Sequence, residues 1–337
     1  MIYHGNCHCG RYRFDLHVDQ HTKATALSLI PTVTCSCTAC TKLGCLWHAV
    51  GSGQLVDTSL NNKNERKTDI DINNRTVVLD ETLPPSPPSP SASPLLQTYR
   101  SGLIRYAFCP DCGTGVFGTH VKGPLMGTTL VNLRTLRGLN PFDYAAATLP
   151  SSDAAAHPPP APDSPTGSHG GSHTTPTAGA CLCGSVSVEL LAPLAGMPLK
   201  EDNCSICMRN AWLGACPRRA HVLVRGAAQH TRDYRFGRRR FMGHPFCTTC
   251  GAHVFMNVYG PPQDVVDRLP EDKKALVRQN LDVLPVNVRI LDRIQQHWGQ
   301  LQVAQSDDGT AGYEQDVLGI AEHASTVDGK TEGETRI

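Results

Sequence analysis

Short runs of alternating apolar and polar residues recur along the chain, and they predict a protein built mainly of β-strands. The alternation is clearest over residues 131–136 and 286–291, where it is typical of half-buried strands. Shorter β-like runs occupy residues 114–117 and 252–255. The apolar spacing over residues 270–284 is helical instead, so we expect one added helix in the second half of the chain.

The predicted helix starts at Pro270, a residue suited to a first helical turn, and ends before Pro285. Glu271 and Asp272 favour the positive end of the helix dipole. Its apolar side chains fall on one face, and we interpret this stripe as core packing. The stripe consists of Leu276, Val277, Leu281 and Leu284.

Cysteine motifs occur twice in the same order, so the chain is predicted to contain two related domains. Each copy has a Cys-x-Cys-Gly motif, a central motif and a Phe-Cys-x-x-Cys-Gly motif. The cysteines of the first copy are Cys7, Cys9, Cys35, Cys37, Cys40, Cys109 and Cys112. Those of the second are Cys181, Cys183, Cys204, Cys207, Cys247 and Cys250. Asp202 replaces Cys35 in the second copy, so the two central motifs are expected to differ in chemistry.

The composition between these motifs suggests the domain boundaries. We assign residues 1–146 to the first domain, with a Pro-rich insertion at about 58–94 that is predicted to be disordered. Residues 147–177 are rich in Ala, Pro, Ser, Gly and His and are predicted to form a flexible linker. The second domain is assigned to 178–305, and the polar stretch 306–337 to a disordered tail.

Charge and hydropathy restrict the partners and the compartment. The 337 residues carry a net charge of +1, which gives no electrostatic case for a nucleic-acid or membrane partner. The basic cluster at 235–240 is interpreted as a solvated loop. The N-terminus resembles no secretory signal, and no apolar segment reaches the ~20 residues of a membrane span. We therefore expect a cytoplasmic protein, and a nuclear location is also compatible with the sequence.

The paired cysteines are predicted to bind zinc, because thiols at this spacing in a reducing compartment are typical metal ligands. Two such pairs supply the four corners of a closed structural zinc shell, and in the first half they are Cys7, Cys9, Cys109 and Cys112. This leaves Cys35, Cys37 and Cys40 as a group of three. Three protein ligands plus an open position is the catalytic arrangement for zinc.

Other interpretations of the central group remain open at this point. Cys45 could complete a second closed site with it, although Trp212 stands at the equivalent place in the second half. Cys45 is therefore interpreted as a buried free thiol, and Cys216 likewise. A purely structural role for the three central cysteines is about as well supported as a catalytic one. A redox dithiol is less favoured, because the βαβ context of thioredoxin-like proteins is missing.

The combined motifs resemble those of the glutathione-dependent formaldehyde-activating enzyme family, whose domain is shared with centromere protein V. The resemblance covers both halves outside the linker, insertion and tail. It rests on Gly5-x-Cys7-x-Cys9-Gly10, Cys35-x-Cys37-x-x-Cys40-x-Lys42 and Phe108-Cys109-x-x-Cys112-Gly113. It implies two tandem zinc-containing β-tent domains, made of small antiparallel sheets with little helix.

The resemblance also implies a function. By this resemblance, the chain is expected to hold a structural zinc at Cys7, Cys9, Cys109 and Cys112. It is also expected to hold a labile zinc at Cys35, Cys37 and Cys40, where glutathione interacts. The implied activity is a carbon–sulfur lyase reaction that joins glutathione and formaldehyde as S-hydroxymethylglutathione. The expected partners are thus a small thiol and a small aldehyde. A thiolate attacks a carbonyl carbon more readily than a thiol does, and a bound metal favours the thiolate by lowering the pKa of the thiol.

The second half departs from this pattern. We expect a structural zinc at Cys181, Cys183, Cys247 and Cys250 and a degenerate or differently tuned centre at Cys204 and Cys207. Asp202 either contributes a harder ligand there or simply caps a turn. Two alternatives to the lyase remain: a lyase for another small thiol adduct, and a non-catalytic zinc-stabilised module that binds protein, glutathione or nucleic acid.

Overall fold

The chain folds mainly into β-strands arranged in several small sheets, as the sequence predicts. The computed structural model describes residues 1–18, 32–51, 53–59, 95–143, 147–149, 177–237 and 240–307. The predicted insertion, linker and tail lie largely outside these residues. The helices within them are α1 Thr38–Leu43, α2 Ser205–Arg209, α3 Ala227–His230, α4 Gln263–Asp267 and α5 Glu271–Leu281.

The described part of the first half contains two sheets. A three-stranded antiparallel sheet has the order β1 Ile2–Asn6, β2 Arg13–His17 and β5 Leu55–Asp57. A seven-stranded sheet has the order β10 Ala147–Leu149, β3 Val33–Cys35, β4 Trp47–Ala49, β9 Thr129–Asn132, β8 Gly115–His120, β7 Ile104–Phe108 and β6 Gln97–Arg100. All neighbours are antiparallel except β10, which runs parallel to β3.

The second half repeats this arrangement in three sheets. The small sheet recurs as β11 Ala178–Ala180, β12 Ser187–Leu190 and β15 Val222–Arg225. A four-stranded sheet has the order β19 Val286–Asn287, β14 Leu213–Ala215, β13 Leu199–Asp202 and β20 Val303–Ser306. The last sheet has the order β16 Thr231–Tyr234, β17 Met242–Cys247 and β18 Asn257–Val258.

The seven-stranded sheet of the first half is therefore divided in two in the second half. The run 252–255, predicted as β-like, makes only isolated bridges there: His253 with Phe246, and Phe255 with Val286. In the first half, residues 115–117 of the matching run belong to β8, which pairs with β7. One reason for the break is Pro245, which stands where β7 has Ala107 and has no amide hydrogen for a ladder.

Two predicted strands are shorter than the sequence pattern suggests. The run 131–136 leaves the sheet after Asn132, and 286–291 leaves it after Asn287. In each case the asparagine side chain accepts the amide hydrogen two residues on, from Arg134 or Arg289, at 3.3 and 3.2 Å. This side-chain bond replaces a ladder bond and starts a 3-10 turn, Leu133–Thr135 or Val288–Ile290.

The predicted helix forms as α5, but its apolar stripe is not in the core. Leu276 is 49% exposed and Leu281 37% exposed, and no residue of α5 is buried. Of the predicted stripe only Leu284, beyond the end of the helix, is buried. The interpretation of the stripe as core packing was therefore wrong. The four short helices α1, α2, α3 and α4 were not predicted from the sequence.

Strands also extend past the predicted boundaries. β10 uses residues 147–149, which were assigned to the linker, and pairs with β3. β20 ends at Ser306, one residue into the predicted tail, and pairs with β13 in the same parallel sense. Each half thus closes with a parallel strand beside its central motif.

The two halves pack against each other with an approximate two-fold correspondence. Phe246 of the second half packs against Gly113, and its counterpart Phe108 packs against Gly251. Both glycines have φ near +70°, at 74° and 72°, and a Cβ on either would lie within 2.6 Å of the opposing ring. These are the glycines of the Cys-x-x-Cys-Gly motifs, so the turns that carry the outer cysteines also form part of the contact between the halves.

The central helices reach across the same contact. Lys42, in α1, donates from Nζ to the carbonyl of Ala180 at 2.8 Å and to Asp292 at 3.0 Å. Its counterpart Arg209, in α2, donates from Nε to the carbonyl of Asn6 at 3.1 Å. Both acceptor carbonyls directly precede the first cysteine of the opposite half. Each half therefore supports the outer cysteine motif of the other.

Candidate metal centres

Four groups of side chains in the described residues have donor atoms close enough to hold a metal ion. Within each group these atoms lie within 4.8 Å of one another. Two groups consist of four cysteines, and two are smaller and lie at the central motifs. All fifteen cysteines are free thiols, so no disulfide competes for these sulfurs.

The first outer centre brings together Cys7, Cys9, Cys109 and Cys112. Cys7 Sγ lies 3.5 Å from Cys9 Sγ, which lies 3.6 Å from Cys109 Sγ. Sulfurs at the corners of a tetrahedral zinc shell are about 3.8 Å apart, so these spacings fit zinc. The amide of Tyr12 donates to Cys7 Sγ at 3.3 Å, a bond that orients a thiolate ligand.

The second outer centre has the same form. It brings together Cys181, Cys183, Cys247 and Cys250. Cys183 Sγ is 3.5 Å from both Cys181 Sγ and Cys247 Sγ. The amide of Val186 donates to Cys181 Sγ at 3.3 Å, repeating the bond from Tyr12. Both outer sets therefore fit a closed four-sulfur site, clipping the start of each half to a distant Cys-x-x-Cys turn.

The central centre of the first half lies where β3 meets α1. Cys35 ends β3, and Cys37 caps α1, with its Sγ accepting the amide hydrogen of Cys40 at 3.4 Å. The amide of Cys37 in turn donates to Cys35 Sγ at 3.4 Å. Hydrogen bonds from the neighbouring Cys37 and Cys40 lower the pKa of Cys35. The two amide hydrogen bonds of this turn therefore hold the sulfurs of Cys35 and Cys37 in place.

Two residues at this centre had no signal in the sequence motifs. His120, the last residue of β8, forms a group with Cys35 and Cys40, and its Nε2 lies 3.3 Å from Cys40 Sγ. The Trp47 indole donates to the same sulfur at 3.2 Å. His120 lies 80 residues from Cys40, and Trp47 follows Cys40 closely but carries no metal-ligand atom. Neither residue therefore shows a ligand spacing that would identify it in the sequence.

Cys37 adjoins the sulfurs of Cys35 and Cys40 but is not in the group formed with His120. Cys45 is in none of the four groups and is buried, and burial raises its pKa to about 12. Cys45 is therefore a protonated thiol in the protein interior. Cys216 is exposed, so the interpretation of it as buried was wrong.

The central centre of the second half contains Asp202, Cys204 and Cys207, all half-buried. Asp202 accepts the amide hydrogen of Cys204 at 2.7 Å, in place of the bond from Cys37 to Cys35 in the first half. Its other oxygen lies 3.2 Å from Lys200 Nζ. Burial opposes ionisation of this carboxyl, but the bonds from Cys204 and Lys200 outweigh it and lower its pKa. Asp202 therefore both caps the turn and faces the two thiols.

Comparisons with known proteins add little to this geometry. No protein-family model matches the sequence, and neither does any curated protein. A crystal structure of a Rhodobacter sphaeroides protein is 28% identical over 38% of this chain and 99% of its own, with a TM-score of 0.28. At this TM-score the likeness supports no conclusion about fold or function.

The helices were also compared with the requirements of a membrane span. Within the described residues, none is long and apolar enough to cross a bilayer.

Proposed function

We propose that the chain is a zinc-dependent carbon–sulfur lyase of the glutathione-dependent formaldehyde-activating type, acting in the cytoplasm or nucleus. Its substrates are a small thiol such as glutathione and a small aldehyde. In the synthetic direction the thiol sulfur bonds to the carbonyl carbon, and the thiol proton ends on the carbonyl oxygen. Every atom of both reactants is retained in the adduct, so no oxidant or reductant is needed.

The two outer centres have a structural role in this proposal. Each offers four sulfurs, which fill a tetrahedral shell and leave no position for a substrate. Cys7, Cys109 and Cys112 are fully buried, and the second-half set includes the fully buried Cys247 and Cys250. A metal there would stabilise the fold and would not take part in the reaction.

The observation that carries the proposal is the convergence of three thiols at the first-half central centre. Cys35, Cys37 and Cys40 offer three sulfurs rather than four, which is the ligand number of a centre that exchanges a substrate. A bound zinc ion would lower the pKa of an incoming thiol and polarise the aldehyde carbonyl.

The surrounding residues fix these sulfurs and exclude water. Trp47 is fully buried and holds Cys40 through its indole hydrogen. Leu43 and Leu125 belong to the same buried cluster. Phe246 of the second half also belongs to this cluster, so the buried cluster that contains the first-half centre extends into the second half. The low polarity of this cluster strengthens electrostatic interactions at the sulfurs.

The second-half centre is proposed to have a different role. A carboxylate at Asp202 makes its donor set harder, and both of its oxygens already interact with Cys204 or Lys200. We assign the reaction to the first half alone.

The test is the rate at which glutathione and formaldehyde form the adduct, measured by NMR exchange on the full-length zinc-loaded protein. Cys35→Ser is expected to lower the catalysed rate at least tenfold, while the matched variant Cys204→Ser retains it. An unchanged rate in Cys35→Ser would overturn the catalytic assignment. A wild-type rate equal to the uncatalysed rate would favour the zinc-stabilised binding module instead.

A further inference from the structure

His120 occupies a position at the first-half central centre that the repeated motifs do not explain. Its Nε2 lies 3.3 Å from Cys40 Sγ, and it forms a compact group of donor atoms with Cys35 and Cys40. The side chain is 3% exposed. An imidazole at this depth, beside two thiols, is placed where a metal bound by those thiols would meet it.

The sheet fixes the backbone that presents this side chain. His120 ends β8, where it pairs with Ile104 of β7. Its carbonyl accepts the amide hydrogen of Gly127 at 3.0 Å, which closes the following turn. The imidazole is therefore held by strand register on one side and by a closed turn on the other.

We propose that His120 is the fourth protein ligand of the first-half central metal. It would bind together with Cys35 and Cys40, and Cys37, which adjoins these two sulfurs but lies outside their compact group with His120, would supply the third sulfur. Zinc accepts sulfur and imidazole nitrogen together in a tetrahedral shell, so the donor set fits. This assignment rests on metal binding at the centre, which is part of the proposed function, but not on the lyase reaction. An incoming thiol would have to replace the imidazole, so His120 controls access to the metal.

The second half shows what the centre is like without this ligand. The register of β17 and β18 pairs Met242 with Val258, as Ile104 pairs with His120 in the first half. Val258 offers no donor atom. The compact group there contains Asp202, Cys204 and Cys207 with no fourth member among the described residues. The two central centres thus differ at two ligand positions: Asp202 replaces Cys35, and Val258 replaces His120.

The test is NMR of the full-length protein loaded with ¹¹³Cd and labelled with ¹⁵N-histidine. One cadmium resonance is expected to show scalar coupling to a histidine nitrogen. His120→Ala should abolish that coupling, whereas His244→Ala, which removes another buried histidine, should leave it. A cadmium-loaded wild type without coupling, or coupling that persists in His120→Ala, would overturn the assignment.

A second variant covers the case in which His120→Ala fails to fold. His120→Cys supplies a sulfur in place of the imidazole. The ¹¹³Cd resonance of the first-half central centre is then expected to move to the chemical-shift region of the two four-sulfur centres. If the resonance stays in place, the assignment is wrong. Saturating glutathione should also remove the cadmium–histidine coupling of the wild type. Coupling that survives would contradict the proposal that an incoming thiol replaces His120 on the metal. An adduct rate at the uncatalysed level with the coupling intact would instead overturn only the proposed function.

Discussion

His8 of the first half hydrogen bonds to Tyr234 of the second, with 2.9 Å between His8 Nδ1 and the tyrosine hydroxyl. The counterpart contact joins Tyr99 of the first half to the second half, where its hydroxyl donates to the carbonyl of Leu182 at 3.1 Å. Leu182 holds the position of His8 in the repeat. The tandem is thus a pseudo-dimer in which two equivalent tyrosines, Tyr99 and Tyr234, each hydrogen bond to the opposite half.

Removing the Tyr234 hydroxyl is expected to destabilise the protein more than removing that of Tyr99. Tyr234→Phe leaves a nitrogen of the buried His8 without its partner, which costs about 1–3 kcal/mol. Tyr99 is only partly buried, so Tyr99→Phe should cost about 1 kcal/mol. Urea unfolding of both variants measures the difference, and equal losses would show that the two contacts contribute alike.

Glu201 links the two halves through two arginines. It lies 2.9 Å from Arg289 and 3.6 Å from Arg134, and all three side chains are at most 17% exposed. Burial and the neighbouring Arg289 lower the pKa of Arg134 to about 10. Glu201→Gln would leave the buried Arg134 and the half-buried Arg289 without their carboxylate partner, with an expected loss of about 3–5 kcal/mol in unfolding free energy.

The matched control for this ion pair is Glu271→Gln. Glu271 is 78% exposed and pairs with Lys274 on the surface of α5. Its loss should leave the urea midpoint almost unchanged, because exposed ion pairs contribute little. Equal effects of the two variants would contradict the role given to Glu201.

Burial of His244 makes the stability depend on pH. Burial lowers its pKa from 6.5 to about 4, so the folded state keeps it neutral. Below pH 6.5 the unfolded chain binds a proton that the folded chain does not, so this contribution to stability is complete above pH 6.5 and falls towards pH 4. Between pH 7 and pH 5 the wild type should lose about 2 kcal/mol more than His244→Gln.

Urea unfolding at both pH values measures this difference. The exposed His221 serves as the control, since His221→Gln should retain the wild-type pH dependence. An identical pH dependence in wild type and His244→Gln would show that the buried histidine does not set it.

Loss of an outer cysteine should destabilise the whole chain. A structural zinc contributes about 10 kcal/mol or more of folding free energy, so Cys109→Ser is expected to cost several kcal/mol. The melting temperature should fall by about 10 °C or more. Cys216→Ser, at an exposed cysteine outside the four groups, should melt like the wild type. Thermal unfolding followed by circular dichroism compares them, and a wild-type melting temperature in Cys109→Ser would exclude a structural role.

The sequence predicts the parts of this structure that depend on local spacing and repetition. The β-rich architecture and the helix near residue 270 follow from residue periodicity. The spacing of the cysteines also indicates which of them lie together, because each Cys-x-Cys or Cys-x-x-Cys pair already sets two neighbouring sulfurs.

What the sequence does not predict depends on contacts between distant elements. His120 reaches the central centre only through the register of β7 and β8, which its local sequence does not specify. Asn132 ends a strand whose alternation continues, because its side chain competes for a backbone amide. Leu276 has helical apolar spacing, but spacing alone does not show whether a core exists to cover it.

The central claim is that the first-half central cysteines hold a metal of their own, separate from the outer centres. Native mass spectrometry of the full-length protein counts zinc ions per chain and tests this directly. Cys35→Ser is expected to carry one zinc fewer than the wild type under mild chelation while remaining folded, since both four-sulfur centres are intact. A zinc count equal to that of the wild type at every chelator concentration would contradict the claim.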